Sequence, residues 1–99
     1  MAKKLWSVFT DDMDHCIETG SPQCHRHHIF GASNRKKSEF RGFVIPLVYY
    51  LHEFQEGSVH NNPNTGLDLK WKRKAQEYYE ANYGTREDFI LEFGRNYLD

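Results

Sequence analysis

Apolar residues recur along the chain in short, separated groups, and the spacing within each group predicts an element. Leu5, Trp6, Val8 and Phe9 form the first group, a short strand or a docking arm. Asp11 to Asp14 is an acidic turn, and Thr19-Gly20-Ser21-Pro22 is a turn by its glycine and proline chemistry. From Cys24 to Phe30 the side chains alternate. Cys24, Arg26, His28 and Phe30 share one side, and His25, His27 and Ile29 share the other, which predicts a strand. Gly31 to Gly42 reads as a loop that carries a basic stretch. Phe43-Val44-Ile45 predicts a second strand closed by Pro46, a residue suited to the first turn of a helix. Leu47, Tyr50, Leu51 and Phe54 repeat at i, i+3, i+4 and i+7, so that helix runs from about Leu47 to Glu56, with Gly57 as its cap. His52 lies off the apolar stripe, on a face shared with Val48, Tyr49 and Glu56.

A polar loop over 57–66 leads into a second helix, Leu67 to Tyr83, with Leu67, Trp71, Ala75, Tyr78 and Tyr79 as its buried stripe. Gly84 ends it. Thr85-Arg86-Glu87-Asp88 has the form of a capping box, with Asp88 in the usual Glu or Gln place, and opens a last helix carrying Phe89, Ile90 and Phe93. Strands first and helices afterwards predict a single α+β domain over residues 1–99.

At 99 residues the core is modest, and stability needs a metal, a partner or dense packing. The aromatic share of 15% supplies bulk for dense packing and argues against disorder. No apolar run approaches the ~20 residues of a membrane span, and residues 1–6 hold no apolar stretch of signal-peptide length. The two cysteines, Cys16 and Cys24, are expected as free thiols, and the protein as cytoplasmic. Net charge is −1, yet the bases cluster: five against one acid in 26–41, and four with no acid in 70–74. Such clusters on a near-neutral chain are a weak signal for phosphate.

Histidine changes the picture. Of six, four fall within fourteen positions, His15, His25, His27 and His28, and His52 follows on the predicted helix. Imidazoles on a strand and a facing helix can hold a divalent cation. Neighbouring strand residues point to opposite sides, so one histidine of the pair can bind metal while the other takes a proton. A metal stabilises the charge of a phosphodiester under attack, and a histidine can deprotonate water at neutral pH. Together these two actions hydrolyse nucleic-acid backbones.

The stretch Cys24-His25-Arg26-His27-His28-Ile29-Phe30-Gly31, followed by Phe43-Val44-Ile45-Pro46-Leu47 and His52, resembles HNH nucleases of the ββα-metal (His-Me finger) group. More narrowly it resembles small HNH-like proteins of phages and prophages, with the basic stretch Asn34 to Glu39, the Val59-His60 element and the tail from Tyr83 to Leu98 completing the likeness over about residues 16–98. The resemblance implies a ββα-metal core over about 16–60 with additional C-terminal helices over about 67–98. It implies a metal-dependent endonuclease acting on DNA. His28 is then the general base, and His27 and His52 are ligands of one divalent ion, Mg²⁺, Mn²⁺, Ni²⁺ or Zn²⁺. The third ligand stays open between His60, which the resemblance names, and Glu56, one turn beyond His52 on the same face. Arg35, Lys36, Lys37 and Arg41 are expected to contact DNA phosphates without reading bases, with the Lys70–Lys74 run as a second strip of such contacts. A homodimer is open, and no membrane is implied. Many family members carry an asparagine nine residues before the helix histidine, where it pins the loop over the catalytic histidine. Here that position is Phe43, leaving Asn34, Asn61 or a backbone contact to replace it. The departure favours a second reading, a catalytically weak or inactive DNA-binding accessory protein on the same scaffold, serving phage recombination or packaging.

Overall fold

In a computed structural model, which describes residues 5–49, 51 and 66–98, strand β1 (Cys24–His28) pairs antiparallel with strand β2 (Val44–Val48). The register sets Cys24 opposite Val48, His27 opposite Ile45 and His28 opposite Val44. A single 3-10 turn (Ala32–Asn34) and helix α1 (Arg35–Arg41) connect the strands; helices α2 (Gly66–Asn82) and α3 (Arg86–Phe93) follow. The protein is α+β, as its element pattern predicts. Among the described residues, no helix is long and apolar enough to cross a membrane.

Three local expectations are corrected. The stretch after Gly31 is not a loop but the 3-10 turn and α1. Arg, Lys and Glu are good helix formers, and Gly42 closes α1 in the left-handed region at φ 78°. A side chain at Gly42 would also collide with Trp6 and Val8, whose chain crosses there, with Val8 N–H donating to Gly42 O at 2.9 Å. The second strand does not stop at Pro46 but runs through it to Val48. A two-stranded sheet has only edge strands, where proline is tolerated, and the Pro46 carbonyl accepts from Ile17 N–H at 2.8 Å. Leu47 and Val48 therefore belong to β2, not to a helix, and helical backbone begins only at Tyr49.

Aromatic rings fill the core. Phe30, Phe43, Phe89 and Phe93 cluster beneath the sheet, with Phe30 and Phe93 centroids 4.6 Å apart and Phe89 and Phe93 5.0 Å apart. Trp71, Ala75 and Tyr79 are the buried face of α2, with Leu67 and Tyr78 half-buried beside them. The N-terminal segment docks as an arm, its Phe9 edge-on to Trp71 at 5.4 Å and Tyr78 at 5.8 Å. The capping box forms in both directions: Thr85 Oγ accepts from Asp88 N–H, and Asp88 accepts from Thr85 N–H. Both cysteines are free thiols.

Glu18 ties α2 to the N-terminal region, with one oxygen accepting from Lys70 Nζ at 2.7 Å and Trp71 Nε1 at 2.8 Å. Burial alone pushes its carboxyl pKa up. The Lys70 and Trp71 hydrogen bonds and the charges of Lys70 and Lys74 outweigh that, so it lies below the ordinary glutamate value. A carboxylate with a depressed folded pKa adds stability above its unfolded pKa and loses it as pH falls through the folded one. Urea melts on either side of the ordinary glutamate range are therefore expected to show wild type weakening in acid more steeply than Glu18→Gln. Equal acid dependence in the two proteins would remove Glu18 as a source of it.

Candidate active site

β1 ends at His28, and the chain bends at Ile29 and Phe30 before the 3-10 turn. Ser38, fully buried on α1, fixes the bend: its Oγ accepts from Phe30 N–H at 3.0 Å and donates to Phe30 O at 2.7 Å. The Ser38 carbonyl takes Phe43 N–H at 2.8 Å, and the Phe43 carbonyl takes Ile29 N–H at 2.9 Å. Phe43, at the position where the resemblance would put asparagine, thus holds the region through its backbone while its ring fills the core. Asn34 is used otherwise, its amide donating to Phe93 O at 2.9 Å. Asn61 lies outside the described residues.

One residue beyond Ser38, α1 carries Glu39, whose Oε2 lies 2.8 Å from His28 Nε2. The two side chains are only 9% and 18% exposed, so the pair is partly shielded from water. Arg35 Nε stands 3.9 Å from the same oxygen. An ionised carboxylate only accepts, so it selects the tautomer with hydrogen on Nε2 and leaves the ring's lone pair on Nδ1. That is the electronic state a general base requires, with the ring orientation fixed by Glu39.

His27 and His28 both line a cleft of about 340 Å³. Its near wall continues through Gly31 and Ala32, and Ala32 holds a left-handed backbone at φ 50°. Backbone conformations of this kind cost energy in a residue with a side chain and concentrate at functional sites. The far wall is Asp68 and Lys72 of α2 with Tyr97. Asp68 is buried, and Lys72 Nζ lies 2.9 Å from its Oδ2. Tyr97 is placed by α2: its N–H donates to Gln76 Oε1 at 2.7 Å, and its carbonyl accepts from Arg73 Nε at 3.0 Å. Burial raises the Tyr97 phenol above the ordinary value; Arg95 opposes this and the Asp68 charge adds to it.

The expected site residues therefore divide. His27 and His28 come together at one cleft, whereas His52, Glu56 and His60 lie outside the described residues. Among the described residues, no three His, Cys, Asp or Glu side chains form a group able to hold a metal ion. His27 is buried at the cleft lining, and the other donors that the resemblance implies belong to the 52–60 stretch. Arg35 and Lys36 are exposed on α1. Lys37 Nζ donates to Glu92 O at 2.6 Å. Arg41 makes two hydrogen bonds to Glu92, at 2.9 and 2.7 Å, with its guanidinium 4.7 Å from the Tyr83 ring centre. Arg41 is thus built into the joint between α1 and α3.

Glu39, Asp68 and Tyr97 are not singled out by the sequence as parts of the site, whereas Lys72 belongs to the basic 70–74 run, whose clustering already signals phosphate. Glu39 is the one acid of the basic stretch, and Asp68 and Lys72 are spaced as a helical i, i+4 ion pair, so both had a local signal. Tyr97 reaches the cleft through Gln76, 21 residues earlier, and no local pattern announces that. Comparison with protein-family models, with curated proteins and with solved structures gives no match.

Proposed function

We propose that the protein is a divalent-metal-dependent endonuclease of the HNH kind that hydrolyses DNA phosphodiester bonds, with β1, β2 and the segment after β2 forming a ββα-metal core. One observation carries the reading: adjacent histidines at the end of an antiparallel strand line one cleft, and one of them, His28, is held at 2.8 Å by a half-buried carboxylate. His28 Nδ1 takes the proton of the attacking water. Glu39 keeps the ring in the correct tautomer and stabilises the imidazolium that forms, as a buried acid does behind other catalytic histidines. His27 and His52, with either His60 or Glu56, would hold the ion, which when bound polarises the phosphodiester. Three imidazoles suit Zn²⁺ or Ni²⁺, while a carboxylate in the set moves preference towards Mg²⁺ or Mn²⁺, so metal choice separates His60 from Glu56. Arg35 and Lys36, exposed on the helix that carries Glu39, are placed to meet backbone phosphates.

The test is supercoiled plasmid incubated with each of the four ions or with EDTA. Nicking is expected with at least one ion and none in EDTA. No cleavage, alongside salt-sensitive DNA binding, would replace the nuclease with a non-catalytic DNA-binding accessory protein.

A further inference from the structure

The two walls of the cleft differ in chemistry. β1 and the bend after it bring the histidines, and α2 brings a cation. Of the basic residues at 70–74, Lys70 is drawn to Glu18 at 2.7 Å, Arg73 to the Tyr97 carbonyl at 3.0 Å, and Lys74 lies over the Trp71 ring at 5.6 Å. Lys72 instead lines the cleft, and among the described residues no other basic side chain besides the histidines does. Its side chain is 14% exposed, and that of Asp68 is 6% exposed. We infer that Lys72, steadied by Asp68, is the contact through which this cleft grips a phosphate oxygen of a nucleic-acid backbone. The identity of the ligand rests on the nuclease reading; the placement of the cation does not.

A buried ion pair gains little net stability once desolvation is counted, so stability alone is a poor reason to place one in a cleft wall. An ammonium carries three N–H donors and can keep its carboxylate while donating to an oxyanion. Partial burial strengthens that contact relative to one made in bulk water. Tyr97 closes the same wall, its ring 5.6 Å from Lys72 Nζ, and its phenol stays protonated at neutral pH, so it adds a donor and no negative charge. A phosphodiester seated there meets a cleft lined by both the ammonium and His28.

The experiment measures binding of the whole chain to a short DNA duplex at several salt concentrations in EDTA, beside plasmid nicking with metal. Lys72→Gln is expected to weaken binding several-fold and to reduce the slope of log affinity on log salt by about one, the signature of one lost phosphate contact. Lys74→Gln is expected to change both less. Because Lys72→Gln strands the buried Asp68 charge, the double variant Asp68→Asn with Lys72→Gln accompanies it, and circular dichroism verifies folding. Folded Lys72 variants that bind with wild-type affinity and slope, or a Lys74→Gln loss equal to that of Lys72→Gln, would overturn the inference. If the wild type nicks plasmid in that case, the nuclease reading survives. A wild type that does not nick, but whose binding depends on Lys72, would overturn the nuclease and keep the inference. No DNA binding by the wild type at any salt would end both.

Discussion

His28→Ala is expected to lower plasmid nicking by about two to four orders of magnitude, the usual contribution of a positioned general base, while leaving the fold intact. His28 closes β1 opposite Val44, and its ring is held from the side by Glu39 rather than by the aromatic core. The Glu39 side chain is 18% exposed, so water can reach the carboxylate that the substitution abandons. Glu39→Gln is the informative companion. The amide oxygen still accepts from Nε2–H, but the charge that stabilises the imidazolium is gone. A smaller fall is expected, confined to kcat with KM for DNA unchanged, because Glu39 stands behind His28 and not against the substrate. A rise in KM instead would make Glu39 part of the binding surface. Wild-type rates in His28→Ala would remove that residue from the chemistry.

The second large effect is on stability. Phe43→Asn restores the residue that the resemblance leads one to expect, and it is expected to leave the chain largely unfolded. Phe43 is fully buried, with its ring centre 5.8 Å from Phe93, 6.0 Å from Phe30 and 6.3 Å from Phe9. Truncating a core phenylalanine costs about 3–5 kcal/mol. An amide left without partners there adds about 1–3 kcal/mol. The sum rivals the whole stability of a small domain, about 5–15 kcal/mol. Urea unfolding followed by circular dichroism measures it. A cost below about 1.5 kcal/mol, the range of well-tolerated core swaps, would mean that the asparagine finds partners and that Phe43 is not the keystone of the core.

These two positions show how far the sequence carries. β1, α2, the capping box and α3 are legible because each has a local signature: alternation at Cys24 to His28, a helical stripe through Trp71, Ala75 and Tyr79, and Thr85 three residues before Asp88. α1 is not legible because Ser38 is its one buried residue, and a lone serine makes no apolar stripe. β2 is legible only in part. All five of its residues are buried, and a short, wholly apolar run has no period to tell strand from helix. In the candidate site, His27 and His28 stand out by composition. Glu39 needs α1 to exist before it can face His28, and Asp68, Lys72 and Tyr97 meet the histidines only through packing.

The joint between α1 and α3 also sets an order of assembly. Asn34, Lys37 and Arg41 fasten the helix that carries Glu39 to Glu92 and Phe93, 51 to 59 residues later in the chain. On a ribosome, β1 and the histidines at its end emerge before α3, and α1 gains these anchors only after residue 93 has cleared the exit tunnel. The far wall of the cleft waits for Tyr97. A growing chain therefore carries the histidines long before it has the frame that holds them, and the cleft is completed only once residues 92–97 have been made.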